Sequence, residues 1–278
     1  MKVIAFSPAH ITGFFEIFYT EDEMATGSRG AGFSISLGSY AELWSSGNMS
    51  MEGNIGKGEI TREALKLLGV DNVKVKIKNE LPLSQGFGMS ASSTLASTLA
   101  ACHLLSLEPE NALRATHIAE VKMGGGLGDA IAAFHGGMEA RISPGMKGKI
   151  EVMECRAKIL VAVVGKPIET KKIIKNEKMM ERINDAGREA MKRFMKEPSL
   201  ENLATISYEF ALFTGIADEK IERILKEGNK IGSMGMCMLG NSVFAPYSIE
   251  MHKFLSRFQC HQCFIDNEGA RILAALFP

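Results

Sequence analysis

Residues 85–93, QGFGMSASS, put two glycines and a run of small hydroxylated side chains directly before a segment with helical spacing. Such a loop exposes backbone N–H groups and the positive end of a helix dipole, which together bind phosphate oxygens without steric obstruction. A plain glycine turn in which Ser90 or Ser92 caps the helix would explain the same residues. On these residues alone, both interpretations stay open.

Strand and helix patterns surround this loop in the first half of the chain. Residues 73–78 alternate apolar and charged side chains, which indicates a strand with one solvated face, and Leu95 and Leu99 have helical spacing. Turn residues then separate a helix predicted over 109–122 from a helix end, glycine turn and strand predicted over 132–142. A strand, a polar connection and the glycine loop therefore lead into a helix.

The second half begins near residue 150 and mixes helices and strands without the regular alternation of a doubly wound fold. Its predicted elements are a buried strand at 158–164, a long charged helix at 169–196, a helix at 218–226, a strand ending in 236–245, a helix from Ser248 and a final strand at 263–267. We therefore predict an α+β protein of two lobes, residues 1–150 and 151–278, with no internal repeat.

The balance of charge indicates a small partner. Lysine plus arginine and aspartate plus glutamate both number 32, so no net field attracts nucleic acid or an anionic membrane. Hydrophobic residues make up 46% of the chain, enough for a core, but the longest apolar run, Ile159–Val164, is too short to cross a bilayer. No cleavable leader pattern follows the first residues, and we expect a cytoplasmic protein.

The five cysteines are widely spread and odd in number, which fits reduced thiols better than a disulfide framework. Cys260 and Cys263 form the single CxxC, but no second Cys or Cys/His pair stands at zinc-site spacing. Buried thiols near a strand are therefore favoured over a metal or redox site.

Three common nucleotide-binding patterns are absent or lack the sequence context that they require. Residues 86–91 fit the loose G-x-G-x-x-G/A form, but NELPLSQ separates them from the preceding strand, and the nearest following acids lie in a proline-containing connection. Residues 53–59, GNIGKGE, lack the Walker spacing and the Ser or Thr after Lys57. The H-R-D and D-F-G signatures of protein kinases are absent as well.

Two carboxylates stand near each other in the chain. Glu120, at the end of a predicted helix, precedes Asp129 by nine residues, and the glycines at 124–126 let the chain fold back so that both face one pocket. One carboxylate could then hold a metal ion while the other accepts a proton. Taken singly, each has a plainer interpretation, Glu120 as a solvated helix residue and Asp129 as an N-cap.

Three blocks of the sequence resemble the motifs of the GHMP small-molecule kinases, a family that includes galactokinase, homoserine kinase and mevalonate kinase. Residues 7–16, SPAHITGFFE, are similar to the first motif, and residues 81–93, LPLSQGFGMSASS, to the ATP-binding P-x-x-x-G-L-G-S-S-A motif. Residues 233–245, SMGMCMLGNSVFA, are similar to a divergent third motif, and 124–137 to the family's glycine, acid, double-glycine pattern. Among the subfamilies, the archaeal pantoate kinases of coenzyme A biosynthesis are the most similar.

The resemblance implies a two-lobed GHMP kinase fold, with an N-terminal lobe like ribosomal protein S5 domain 2 and a C-terminal ferredoxin-like α/β lobe. It implies ATP and Mg²⁺ as cofactors, with Asp129 as the catalytic base and with Ser90 and Glu120 as catalytic residues that also hold the metal. The ATP-binding residues that it implies are Gly86, Phe87, Gly88, Met89, Ser90, Ala91 and Ser92.

The resemblance further implies a transferase that phosphorylates the primary hydroxyl of (R)-pantoate to 4-phosphopantoate. A carboxylate substrate needs a cation, for which Arg29 and Arg141 are the candidates, followed by Ser28, His10 and His117. Each of these has a plainer interpretation as a surface or structural side chain. A related kinase of pantothenate, mevalonate or homoserine, a non-catalytic ligand-binding regulator, and a homodimer all stay open.

Overall fold

The computed structural model describes residues 1–167 and 177–276, and within these ranges it contains eight helices and two β-sheets. The strands are β1 (Lys2–Phe18), β2 (Gly27–Ser45), β3 (Ser50–Gly53), β4 (Val73–Asn79), β5 (Met138–Arg141), β6 (Ile150–Met153), β7 (Lys158–Val163), β8 (Gly235–Cys237), β9 (Ser242–Pro246), β10 (Gln259–Phe264) and β11 (Arg271–Leu276). The helices are α1 (Glu59–Leu67), α2 (Met89–Leu104), α3 (Pro109–Met123), α4 (Asp129–His135), α5 (Glu177–Lys196), α6 (Leu200–Thr214), α7 (Glu219–Gly228) and α8 (Ile249–Leu255). The predicted α+β class is confirmed.

The first sheet is built on a long antiparallel pair. The strands β1 and β2 run side by side from Lys2 opposite Trp44 to Phe18 opposite Gly27. Strand β2 pairs with β4 through its second half and with β5 through its first half, which gives the order β11-β1-β2-β4-β3 with β5 and β6 attached to β2. The second sheet has the order β10-β7-β9-β8. In its first half, β2 therefore lies between β1 on one side and β5 on the other.

Apolar side chains fill both sides of the first sheet. Helices α1 to α4 contribute to one core, in which Leu43 of β2 packs with Leu95 of α2. The larger core joins β1 and β2 to α5, α6 and the second sheet, where the ring of Phe33 lies 5.0 Å from that of Phe244. Strand β11 follows the second sheet in the chain but pairs with β1, and the division into domains at residue 150 stays a prediction.

Several predicted elements have the expected positions and some were not anticipated. The charged helix predicted at 169–196 begins at Glu177 in the part of the chain that is described, and residues 168–176 lie outside it. Ser248 caps α8 by accepting a hydrogen bond from the backbone N–H of Met251, and the final predicted strand begins earlier, at Gln259. The sequence did not predict α1, α6, β11 or the β1–β2 pair.

Two absences concern the described ranges alone. None of their helices combines the length and apolar composition that a membrane span requires. Nor do these residues contain a group of three or more His, Cys, Asp or Glu side chains placed to hold a metal ion. Cys263 is buried in β10 and Cys260 is half-buried there, and both thiols are free.

Candidate active site

A cavity of about 390 Å³ opens at the start of α2. Its wall combines strands β1 and β2, the loop before α2, the end of α3 and the loop before α4. The lining residues are Thr12, Phe15, Ile17, Ser28, Ile60, Ser84, Gly86, Phe87, Gly88, Met89, Ser90, Ala91, Glu120, Gly124, Gly125, Gly126, Leu127, Gly128, Asp129, Met238 and Leu239. The glycine loop and both predicted carboxylates therefore face one space.

The loop before α2 presents unused backbone donors to this cavity. Gly86 and Gly88 have φ angles of 79° and 58°, a left-handed conformation that glycine adopts without strain. Gly88 is the N-cap of α2, and no side chain caps the helix. The first helical hydrogen bond runs from the N–H of Ser92 to the carbonyl of Gly88, so the amides of Met89, Ser90 and Ala91 precede it and form a site suited to an anion.

The divergent third motif packs directly against this loop. A Cβ added to Gly240 would lie 1.9 Å from the carbonyl carbon of Gln85, and a Cβ added to Gly86 would lie 2.5 Å from the carbonyl oxygen of Cys237. Both contacts therefore require glycine, whatever the other residues of the motif are. The third motif thus fixes the loop by close backbone packing.

Ser90 and Glu120 lie side by side at the floor of the cavity. The hydroxyl of Ser90 donates to Glu120 Oε1 at 2.7 Å, and the N–H of Gly126 donates to Glu120 Oε2 at 2.6 Å. The Glu120 side chain is buried, and burial raises its pKa to about 7, although the two hydrogen bonds act in the opposite direction. The solvated position considered for Glu120 is therefore wrong, and Ser90 donates to a carboxylate instead of capping the helix.

Asp129 begins α4 and is held by a buried histidine. Its Oδ1 accepts a hydrogen bond from His10 Nδ1 at 2.7 Å, while Oδ2 faces Gly126, where an added Cβ would come within 2.4 Å. Burial alone would raise the pKa of Asp129, but the hydrogen bond and charge of His10, the charge of Arg141 and the hydroxyl of Thr12 outweigh it and lower that pKa. Asp129 is therefore an ionised carboxylate at the cavity, with Oδ2 next to Gly126.

His10 bridges two carboxylates. Its Nε2 lies 3.2 Å from Glu139 Oε1, on the side of the ring opposite Asp129. Burial would lower the pKa of His10, but the charge of Glu139 and the hydrogen bonds to both carboxylates together raise it. The carboxylate oxygens on opposite sides of the ring favour its protonated form, in which both nitrogens donate.

Arg141 lies against the cavity wall with two donors unused. Its Nη1 contacts Glu139 Oε1, while Nε and Nη2 are buried and have no hydrogen-bond partner among the described residues. A Cβ on Gly128 would lie 2.7 Å from Arg141 Nε and 2.5 Å from Ser28 Oγ, so both groups converge on this glycine. Because an unpartnered buried N–H is costly, these donors indicate a place for an acidic ligand.

Glycines in β2 let side chains from β1 and β5 meet across that strand. Gly32 stands opposite Thr12 of β1 and Glu139 of β5, and a Cβ there would lie 2.6 Å from His10 Nε2. Gly30 is likewise opposite Arg141. Without side chains on β2 at these positions, His10 reaches across the strand to Glu139.

Three predicted ligand-binding residues lie elsewhere. Arg29 follows Ser28 on β2 and therefore points to the opposite face, where its Nη1 lies 3.5 Å from Glu16 Oε1. His117 is buried in α3 and donates from Nε2 to the carbonyls of residues 23 and 26, which anchors the turn before β2. Ser92 donates its hydroxyl to the carbonyl of Ser7, and its amide serves the helix.

Sequence reasoning did not identify Thr12 or Glu139. Thr12 has no motif signal beyond its place in the first block. Glu139 and Arg141 stand two apart on a strand that follows the double glycine, which places them on one face and is the signal that could have found the pair. The assembled site contains a loop with unused backbone amides, an ionised carboxylate and a guanidinium with two unpartnered donors.

Comparison with known proteins gives relatives across most of the chain. The sequence profile of the GHMP kinases N terminal domain matches residues 58–137. The pantoate kinase of Methanocaldococcus jannaschii is 36% identical over 86% of this chain and 90% of its own, and that of Thermococcus kodakarensis is 33% identical over 88% and 87%. A solved structure described as a phosphotransferase related to the CoA biosynthesis pathway superposes with a TM-score of 0.88 at 28% identity, covering 98% of both chains.

Proposed function

Because the chain belongs to the GHMP kinase family, we propose that it is an ATP-dependent kinase that phosphorylates the primary hydroxyl of pantoate to give 4-phosphopantoate in coenzyme A biosynthesis. The observation that carries the choice of acceptor is the placement of Arg141 behind Gly128, where its charge acts on Asp129 and lowers the pKa of that carboxyl. A proton acceptor and a guanidinium with two unpartnered donors lie near each other, as a short hydroxy acid requires.

The loop fits the triphosphate of ATP. The free amides of Met89, Ser90 and Ala91 and the dipole of α2 suit phosphate oxygens, and the left-handed glycines leave the backbone accessible. When bound, ATP supplies the transferred phosphoryl group, and Mg²⁺ supplies positive charge that offsets the charge of the phosphates.

Ser90 and Glu120 suit Mg²⁺ by the chemistry of their oxygens. Mg²⁺ prefers oxygen ligands and is commonly held by one or two carboxylates together with substrate phosphates and water. The Ser90 hydroxyl and Glu120 carboxylate are 2.7 Å apart at the cavity floor, close to the loop amides. The pair therefore needs no third protein ligand.

Asp129 orients the acceptor hydroxyl and takes its proton at Oδ2. Its other oxygen is fixed by His10, so the carboxylate cannot rotate away from the cavity. A carboxylate of low pKa is a weak base, but in a loose transition state the hydroxyl loses its proton late, and positioning supplies much of the rate. The protonated form of His10 stabilises the negative charge of Asp129 until Asp129 accepts the proton.

Arg141 and Ser28 bind the carboxylate of the acceptor. The Nε and Nη2 atoms form the edge of a guanidinium that makes paired hydrogen bonds to a carboxylate. The short path from this edge to Asp129 favours pantoate over pantothenate, in which an added amide-linked unit moves the carboxylate away from the reacting hydroxyl. Arg29, His117 and Ser92 are left out of the proposed contacts because they lie off the cavity wall.

A coupled assay of ADP release tests this function with pantoate, pantothenate, mevalonate and homoserine as acceptors. We expect pantoate to give the highest kcat/KM, and turnover of none of the four would support the non-catalytic alternative. Asp129→Asn should lower kcat by about 10²–10⁴-fold with little change in the KM for ATP. Asp185→Asn, on the exposed face of α5, is the matched control and should retain normal kinetics. The cytoplasmic location and the homodimer stay predictions.

A further inference from the structure

Glu139 is a third carboxylate at this site, and the proposed reaction gives it no role. Its side chain is 1% exposed and does not line the cavity. One oxygen, Oε1, contacts both His10 Nε2 and Arg141 Nη1. The other, Oε2, is buried and has no hydrogen-bond partner within residues 1–167 and 177–276. Glu139 Oε1 thus links two side chains. One is His10, which holds Asp129, and the other is Arg141, which we assign to the carboxylate of the substrate.

We propose that Glu139 is a positioning residue that sets the orientation of Arg141 and His10 together, so that the two ends of the acceptor are bound in fixed relation to each other. This inference rests on the proposed function, since it assumes an acidic acceptor. Glu139 itself touches neither the acceptor nor the nucleotide.

The geometry of the guanidinium supports this role for Arg141. A planar guanidinium that is held at Nη1 presents its Nε and Nη2 edge on the opposite side, and these are the two donors without a partner. That edge lies against Gly128 at the cavity wall. Without Glu139, Arg141 would keep its charge but lose the contact that fixes which edge faces the acceptor.

The same oxygen acts on His10 through the opposite side of the ring. When Nε2 donates to Glu139, Nδ1 points at Asp129 Oδ1 and holds that carboxylate in place. The register of β5 on β2 brings Glu139 opposite Gly32, where the absence of a side chain opens the path to His10. Glu139 therefore couples two groups that come from strands β1 and β5.

A purely structural ion pair is the competing explanation, and a double-mutant cycle separates the two. We expect Glu139→Gln to raise the KM for pantoate about tenfold while the KM for ATP changes less than about twofold. In an Arg141→Ala background, the same change should raise the pantoate KM by less than about twofold, because the orientation it sets no longer matters. Equal factors in both backgrounds, equal effects on both substrates, or no effect would overturn the proposal.

Glu16→Gln is the matched control. Glu16 is also a buried glutamate of the first sheet that pairs with an arginine, but it lies on the face opposite the cavity. The Glu16→Gln variant should leave the KM for pantoate and the KM for ATP unchanged. If Glu139→Gln does not fold, Glu139→Asp keeps the charge and should raise the pantoate KM by a smaller factor with the same selectivity, and equal changes for pantoate and ATP would again overturn the proposal.

The outcome for Glu139 can be told apart from the outcome for the proposed function. If the wild type phosphorylates another carboxylic acid, pantoate fails as the substrate, and the cycle is run with that acid. Calorimetric Kd values for the acid, measured without turnover, give the same comparison. An acid that binds the wild type and Glu139→Gln equally would overturn the role of Glu139 alone.

Discussion

Replacing Glu120 by glutamine is expected to make the metal-free protein more stable than the wild type at alkaline pH. Burial raises the pKa of Glu120 to about 7 from an ordinary value of 4.5. Between these values the native state keeps a proton that the unfolded chain has released, so the wild type loses stability as the pH rises through this window. From pH 5 to pH 8 the loss amounts to about 2–3 kcal/mol.

Glutamine preserves the contacts of Glu120 without its charge. Its amide oxygen can accept from the N–H of Gly126, and its amide group can donate to Ser90 Oγ, which are the two partners of the carboxylate. The variant therefore avoids the cost of burying an anion and gains no unsatisfied group.

Urea unfolding with a chelator present, at pH 5 and pH 8, measures the effect. We expect the free energies of unfolding of wild type and Glu120→Gln to differ by less than about 1 kcal/mol at pH 5 and by about 3 kcal/mol in favour of the variant at pH 8. Glu197→Gln, at an exposed position after α5, is the control and should show the wild-type pH dependence. A difference between Glu120→Gln and wild type that is the same at both pH values would refute the reasoning, because Glu120 would then ionise as it does in the unfolded chain.

Three further variants test the site and the core. Gly126→Ala puts a Cβ 2.4 Å from Asp129 Oδ2. We expect kcat to fall at least about tenfold while the melting temperature stays unchanged. A normal kcat would exclude Oδ2 as the proton acceptor. Arg141→Lys keeps the charge but loses the paired donors, so steady-state kinetics should give a pantoate KM about tenfold higher, and an unchanged KM would argue against a bidentate contact. Phe194→Ala removes a buried ring packed 6.0 Å from that of Phe14 and should lower the free energy of unfolding, measured in urea, by about 3–5 kcal/mol, whereas a loss below about 1 kcal/mol would contradict the assigned packing.

The phosphate loop was accessible to sequence reasoning because its chemistry is local. Two glycines, a helix start and small side chains follow one another directly, and the structure keeps them in that order. Whether Ser90 or Ser92 caps the helix could not be decided locally, because the answer depends on contacts with residues far along the chain. Ser90 donates to Glu120 and Ser92 to the carbonyl of Ser7, so neither caps the helix.

The network around His10 was inaccessible for a physical reason. Strand β1 is buried on both faces along most of its length, so it lacks the alternation that identifies a strand in a sequence. Without β1 and the register of β2, no pattern connects His10 to Glu139, which lies 129 residues away. The same register decides that Ser28 faces the cavity and Arg29 faces Glu16, since a shift of one residue would exchange them.

Strand β11 constrains the order in which this protein can complete its fold during synthesis. It pairs with β1, with Lys2 opposite Leu276 and Phe6 opposite Arg271, although the whole second sheet is translated between them. Early segments leave the ribosome first, so β1 has an open edge until β11 emerges. Open strand edges recruit strands from other chains. During synthesis, the strand that carries His10 and Thr12 therefore needs its open edge to be shielded until β11 has emerged.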